Sequence, residues 1–282
     1  MSLLLLLAVG LVLNAAASVL ALWRGSVDPG GAMVGMALGT IIFAVGSPFF
    51  WLILMAFFVS STGLGWVRSV EKEALKSMHQ KGSRRDLFQV LANGGMGTLM
   101  ALLFGLTRDP AWAAGFAVSF ASSNADTWAS ELGVLSRNDP VSLLRLRPVP
   151  RGISGGVSLA GCAASLAGAI FIALIFAAEN LSFRLLSGGF VRVAAFVAAG
   201  GFLGSLLDSL LGGTLQAQYV RAAGDANPAR PALLVTERAF TDEGAPNRLA
   251  RGLAFVNNDV VNFASCAAVT FAAVLLSRLV SA

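Results

Sequence analysis

Eight stretches of this 282-residue chain are each apolar over about the 17–25 residues that a helix needs to cross roughly 30 Å of hydrocarbon. They fall at 2–22, 31–46, 48–66, 87–106, 110–135, 152–178, 191–212 and 253–279. With 56% hydrophobic and only 12% charged residues, the chain has more apolar surface than a water-soluble globule of its size can hide. The expected fold class is therefore all-α: a polytopic membrane protein with seven or eight transmembrane helices. It forms a single membrane domain over 1–282 with a long loop at about 214–251. The count depends on Gly46-Ser47-Pro48, which is either a tight turn between two helices or a kink within one. The first apolar run has no basic residue before it and Arg24 after it, so it reads as a span rather than a cleaved leader. Cys162 and Cys266 lie inside spans, which argues against a disulfide framework. The 31 glycines, and the small-residue ridge Ser154, Ser158, Cys162, Ser165 and Gly168, fit closely packed helices.

Orientation follows from the distribution of basic residues. If the loop carrying Arg68, Lys72, Lys76, Lys81, Arg84 and Arg85 faces the cytoplasm, only Arg108, Arg184, Arg192 and Arg278 of the 20 basic residues fall on the other side. Both termini then lie outside. The same arrangement places five polar stretches at the cytoplasmic ends of their helices: "SRRDLFQVLANGG", "SNADTWASELG", "VPRGISGG", "GSLLDSLLGGTLQ" and "VNNDVVNF".

Carboxylates at membrane depth need a compensating positive species, and Asp126, Asp208 and Asp259 carry that requirement most strongly. Asp208 lies one helical turn from both Gly204 and Gly212, where another helix can approach. Asn258, Asn262 and Ser265 form a polar stripe with Asp259 at its edge, and Asp86, Gln89, Asn93 and Gly97 form another. Asp126 and Glu131 are about 140° apart on a regular helix, so one ion would not take both. One is expected to bind metal while the other pairs with an arginine or a neighbouring helix. Carboxylates and amides beside arginines and glycine-rich turns suit Mg²⁺-dependent phosphoryl chemistry. "RGISGG" reads as an arginine on a flexible helix N-terminus, a favourable place for phosphate. No GxxxxGK[ST] occurs, which excludes a P-loop.

Taken in order and spacing, these five motifs resemble the integral membrane family that contains plant phytyl-phosphate kinase and its bacterial and animal relatives. The likeness runs from about Arg24 to Ser265. The turn at 149–156 departs from the family's VPxGTNGG form at Ile153 and Ser154, so no role of that Thr-Asn pair is carried over. The resemblance implies a kinase that converts an isoprenoid monophosphate to the diphosphate with a nucleoside triphosphate, CTP being favoured, and Mg²⁺ as cofactor. On this reading Asp126, Glu131 and Asp208 are catalytic, with Glu131 acting as support or base. Asn124, Asp126, Asp208, Asn258 and Asp259 hold the metal. Arg84, Arg85, Asn93, Arg151, Gly155, Gly156, Ser209 and Asn257 bind substrate and phosphate. The implied partners are the nucleotide, an isoprenoid monophosphate lipid and the membrane, and not nucleic acid. The location is integral to a membrane, the plasma membrane in a bacterium, with the site facing the cytoplasm. Two alternatives use the same acids: a lipid-phosphate cytidylyltransferase, and a transporter or scramblase.

Overall fold

Helix starts are written into the chain as a short polar side chain followed by proline or an apolar run. The hydroxyl or carboxylate accepts one of the amide protons that a helix N-terminus leaves unpaired, and proline at the next position gives up an N–H that had no partner anyway. Ser2 caps α1 (Leu3–Trp23), Asp28 caps α2 (Pro29–Ile41) and Ser47 caps α3 (Pro48–Trp66). Asp86 and Gln89 form a reciprocal capping box on α4 (Leu87–Thr107), and Asp109 caps α5 (Pro110–Gly133). Ser158 caps α6 (Leu159–Phe183), Gly188 precedes α7 (Gly189–Thr214), and Asn257 Oδ1 accepts from Val260 N at the start of α8 (Asn258–Ser281).

The computed structural model describes residues 2–67, 84–136, 138–144, 146–149, 151, 153–220, 235–241 and 244–281. The basic residues Arg68, Lys72, Lys76, Lys81, Arg137, Arg145, Arg221 and Arg230 lie outside these. Seven of the described helices are long and apolar enough to cross a membrane, counting α2 together with the π-helical turn Ile42–Gly46 that ends it. The eighth, α5, has 24 residues and a polar end. The fold is all-α and polytopic. Ser47 is fully extended between the π-turn and Pro48, so Gly46-Ser47-Pro48 is a break between two helices rather than a kink.

Two expected boundaries move. The sixth helix begins at Leu159, not 152, and the eighth at Asn258, not 253. Gly155 takes φ +88°, which no helix can include, and Gly156-Val157 pairs as strand β2 with β1 (Val141–Ser142). The described residues of "RGISGG" therefore lie in a loop, not at a helix N-terminus. Ser154 leaves the small-residue ridge, and Ser158 serves as the helix cap. The described ends of the 214–251 loop form a three-stranded antiparallel sheet in the order β4-β3-β5, from β3 (Gln218–Val220), β4 (Val235–Thr236) and β5 (Arg248–Arg251).

The core is built around α5, which packs against α3, α4, α6, α7 and α8. Every residue from Ala113 to Ala125 on it is buried. Small residues permit this closeness. A side chain at Gly201 would meet Ala121 at 2.7 Å, and one at Gly204 would meet the Ser122 hydroxyl at 2.1 Å, so α7 lies against α5 with no room for a Cβ. At the end of the bundle away from the polar motifs, Phe50 stacks on Phe116 at 4.1 Å, with Phe104 and Phe120 alongside. Phe50, Phe116, Phe120 and Phe176 are all fully buried and form an apolar floor.

Candidate active site

Successive helices alternate in direction, so the C-terminal ends of α1, α3, α5 and α7 and the N-terminal ends of α4, α6 and α8 share one end of the bundle. A cavity of about 630 Å³ opens there. Its wall takes Asp126 and Glu131 from α5, Asp208 and Ser209 from α7, and Asn258 and Asp259 from α8. Arg85, just before α4, and Arg151, Gly155 and Gly156 from the loop before α6 complete this part of the wall. Residues drawn from all five polar motifs thus line a single space.

Asp208 is held by α8. Ser265 Oγ donates to Asp208 Oδ2 at 3.0 Å, and the Asn262 amide, oriented to suit both its neighbours, donates to the same oxygen at 2.9 Å and to Asn258 O at 3.1 Å. The polar stripe on α8 is a clamp for one carboxylate. Asp208 faces Asp126, and Glu237 adds further negative charge nearby. Asp126 itself makes no hydrogen bond or ion pair to any described residue, so the pair of carboxylates is anchored on one side and open on the other.

Arg85 lines the same cavity on the side of Glu131. Its backbone is pinned to the α1–α2 connection, with Arg85 N donating to Ser26 O at 3.1 Å and Asp28 N donating to Arg85 O at 3.0 Å. A Cβ at Gly31 would lie 2.4 Å from Arg85 O, which explains the glycine there. The guanidinium sits over the rings of Phe57 and Phe58 at 5.8 and 5.9 Å. Burial pulls this guanidinium below its ordinary value, and the Glu131 carboxylate opposes the shift. Glu131 therefore faces an arginine and Asp126 faces Asp208, so the two acids of α5 serve different neighbours, as their angular separation implies.

The loop is seated by glycines. A Cβ at Gly155 would lie 2.2 Å from the Gly213 Cα, so "ISGG" and "LLGGT" cross backbone to backbone and Ser154 is carried over the site. Ser154 Oγ donates to Glu237, and Gln218 Nε2 donates to Ser154 O at 3.3 Å, tying the three-stranded sheet to the loop. Arg151 Nε pairs with Asp139 Oδ1 at 3.2 Å in a partly exposed ion pair.

Four expected site residues are placed elsewhere. Asn124 is 0% exposed, with its oxygen accepting from Ser60 Oγ at 3.1 Å and Ser61 Oγ at 3.3 Å and its amide donating to Gly168 O at 2.8 Å. It ties α3, α5 and α6 together and has no lone pair directed at the cavity, so it is not a metal ligand. Asn93 turns its amide onto Gln89 O of its own helix, and Asn257 is a helix cap. Arg84 is exposed beside Gly25, outside the cavity wall. Conversely, Glu237, Asp139, Arg24 and Gln89 were absent from the expected site. Arg24 and Gln89 line the cavity, Arg24 with its guanidinium 5.5 Å from the rings of both Trp23 and Trp66. No spacing in the sequence marks Glu237, which arrives through the sheet.

Among the described residues, no three His, Cys, Asp or Glu side chains converge closely enough to cage a metal ion. Asp126, Asp208 and Asp259 therefore do not form a three-carboxylate site. Asp259 lies in the first turn of α8, where the helix N-terminus already favours a negative charge. The Asp126–Asp208 pair nevertheless fits the usual Mg²⁺ arrangement, which takes one or two carboxylates and fills its other positions with water and substrate phosphate.

Comparison with known proteins agrees with the motif resemblance. The chain is 32% identical over 215 residues to Protein PGR of Arabidopsis thaliana, covering 68% of this chain and 73% of that protein. It is 34% identical over 164 residues to an uncharacterized membrane protein of Methanocaldococcus jannaschii, covering 57% and 63%. It is 30% identical over 151 residues to the chloroplastic Protein VTE6 of Arabidopsis thaliana, covering 51% and 45%. No solved structure matches. Residues 12–270 match the profile of integral membrane protein DUF92, and the chain belongs to that family of integral membrane proteins.

Proposed function

We propose that this protein is a membrane phosphotransferase that extends an isoprenoid monophosphate to the diphosphate with a nucleoside triphosphate, CTP being favoured. The observation that carries this reading is the Asp126–Asp208 pair lining, together with Arg85, a cavity at one end of the bundle. A water-soluble nucleotide and a lipid phosphate can meet there while the lipid chain stays in the membrane. The family resemblance in the five motifs supports the same chemistry, and the excess of basic residues at this end supports a cytoplasmic site with both termini outside.

In the proposed reaction an oxygen of the lipid phosphate attacks the γ-phosphorus, and the bond from that phosphorus to the bridging oxygen breaks. The nucleoside diphosphate leaves with the electron pair. The second pKa of a phosphate monoester is about 6, so the attacking oxygen carries no proton at neutral pH. No general base is needed, and Glu131 is free to hold Arg85 in place. Arg85 binds and orients phosphate oxygens by its planar fork. Asp126 and Asp208 would hold Mg²⁺, which when bound would supply neutralisation of the negative charge on the phosphate groups. Arg151, on the glycine-seated loop, would meet the nucleotide from the aqueous side.

The apolar floor of Phe50, Phe116 and Phe120 favours reaction at the surface over passage through the bundle. The test is incubation of purified protein with Mg²⁺, a panel of nucleoside triphosphates and isoprenyl monophosphates of several lengths, with products identified by mass. Nucleoside diphosphate with prenyl diphosphate supports the kinase. Pyrophosphate with a nucleotidyl lipid shows cytidylyl transfer instead, and no product from any pair refutes both.

A further inference from the structure

Helices α1 and α3 both end on a tryptophan, Trp23 and Trp66, at the polar end of the bundle. Tryptophan collects at the boundary between hydrocarbon and headgroups, so the two rings mark that level on the protein. They are 77% and 53% exposed, and Leu22 and Val67 beside them are exposed as well. The two helices have different main partners, α1 packing on α2 and α3 on α5 and α6. Arg24, the residue after Trp23, joins their ends. Its guanidinium carbon lies 5.5 Å from the centroids of both tryptophan rings.

An arginine beside interfacial tryptophans is ordinarily a membrane anchor, with its charge snorkelled to the headgroups. Three observations set Arg24 apart. Arg24, Gly25, Ser26, Gly65 and Trp66 line the cavity, so the lipid-facing surface and the candidate site meet at this residue. The Arg24 side chain makes no ion pair or hydrogen bond to any described residue. The segment that carries it also runs beside Arg85, through Arg85 N donating to Ser26 O at 3.1 Å. Helix α3 backs both guanidiniums with aromatic rings, Arg24 with Trp66 and Arg85 with Phe57 and Phe58. Phe58 lies about 12 Å further into the membrane along α3 than Trp66. One cavity thus carries an exposed arginine at headgroup depth and another arginine on rings deeper in the bundle. A nucleotide arriving from water has no need of a cation in the headgroup layer. The phosphate of a lipid already lies at that level.

We infer that Arg24, held between Trp23 and Trp66, is the docking point at which the phosphate of a bilayer-resident monophosphate lipid enters the cavity, its chain remaining against the lipid-facing ends of α1 and α3. This rests on the phosphotransferase reading for its substrate class. It adds the side from which the acceptor arrives and a residue that selects a lipid phosphate over a free one.

The experiment titrates purified, detergent-solubilised protein with geranylgeranyl monophosphate, geranylgeraniol, inorganic phosphate or CTP with Mg²⁺, each alone, and reads the half-saturating concentration from the rise in melting temperature. Geranylgeranyl monophosphate is expected to stabilise the parent at concentrations where geranylgeraniol and inorganic phosphate do not. Arg24→Gln should raise its half-saturating concentration about tenfold, the scale of one charge-assisted hydrogen bond, and leave that of CTP within twofold. Trp66→Leu, which keeps the charge and removes a ring that holds it, should raise the lipid value about threefold and covers a folding failure of Arg24→Gln. Arg84→Gln, outside the cavity wall, should stay within twofold. Failure of geranylgeranyl monophosphate to stabilise the parent overturns the inference, and so does equal stabilisation by geranylgeraniol or by inorganic phosphate. A loss of CTP binding in Arg24→Gln would give the residue to the nucleotide, and a lower melting point with unchanged half-saturation would leave it a membrane anchor; both overturn the inference. Arg24-dependent lipid-phosphate binding without any nucleotide-dependent product would sink the kinase and keep the docking point. Diphosphate formation with an unchanged lipid KM in Arg24→Gln, measured in nanodiscs, would sink the docking point and keep the kinase.

Discussion

Asp126 and Asp208 provide the sharpest test of whether the cavity binds a cation or merely holds helices together. Asp208 is anchored through one oxygen by Ser265 and Asn262, and Asp126 has no hydrogen-bonding partner among the described residues. Asparagine at 208 keeps an oxygen to accept those two bonds, and asparagine at 126 loses none. What either substitution removes is repulsion. Two like unit charges facing each other at side-chain separations repel by about a few kcal/mol at an effective dielectric of about 20. In chelator at pH 8.5, Asp126→Asn and Asp208→Asn should therefore melt above the parent by several degrees, on a scale of about 2–4 °C per kcal/mol. Addition of Mg²⁺ and nucleotide at about a hundred times the dissociation constant should stabilise the parent by about 2.7 kcal/mol through binding to the native state alone. The variants should gain nothing, so the order of stability inverts. The assay is thermal melting of detergent-solubilised protein in the two conditions, alongside product formation. Breaking a structural ion pair has the opposite sign and typically costs about 3–5 kcal/mol. Variants that melt early in chelator yet keep ligand stabilisation would refute the reasoning and make both aspartates scaffold.

Asn124→Ala should do what the aspartate variants do not, lowering the melting point in both conditions by the equivalent of about 2 kcal/mol, since three interhelical hydrogen bonds are lost at roughly 0.6 kcal/mol each. Retained Mg²⁺–nucleotide stabilisation in that variant confirms its structural role, and loss of it would return Asn124 to the metal site. Arg85→Gln should weaken lipid-phosphate or nucleotide binding about tenfold to a hundredfold in a titration, and Arg85→Lys should recover little because the fork and its ring contacts are lost; Arg84→Gln, outside the cavity, should change binding less than twofold. At the opposite end of the bundle, Ala111 N and Arg278 hold the Asp109 carboxylate below its ordinary value of 3.8. A lowered folded-state value means its contribution is complete above that ordinary value and is lost as pH falls through the folded one. The parent's melting point should therefore drop below about pH 4, and Asp109→Asn should flatten that acid limb.

Much of the architecture is legible because lipid imposes a strong pattern. Apolar runs, Ser-Pro and Asp-Pro breaks and the side bias of arginines give the helices, most of their starts and their alternating direction. Alternation alone then brings Arg85, Asp126, Asp208 and Asn258 to one end. The fine assignments fail where a polar side chain has two physically sound roles. Asn124 and Asp126 are neighbours on one helix, and nothing local tells glue from ligand. The answer depends on Ser60, Ser61 and Gly168, which come from other helices. The start of α6 was readable in principle, since Ser158 before Leu159 is a cap and Gly155-Gly156 is not helical. The length of the apolar run obscured it. Glu237 reaches the cavity through the sheet of β3, β4 and β5, whose non-local register leaves no spacing signal.

The helix that carries most of the site is also the one that hydropathy recognises least. Helix α5 is not among the seven apolar enough to count as a span, yet it is the most enclosed helix of the bundle. The two facts have one cause. A helix surrounded by other helices rather than lipid need not be greasy; it must be narrow, and Ala113, Ala114, Gly115, Ala117, Ala121 and Ala125 make it so. Its polar atoms then meet protein rather than hydrocarbon, as Asn124 does. Only where the surrounding helices part, from Asp126 onward, can α5 present carboxylates to water without facing the bilayer. The run "FASSNADTWASELG" changes from buried packing to cavity wall at that point, between Ala125 and Asp126.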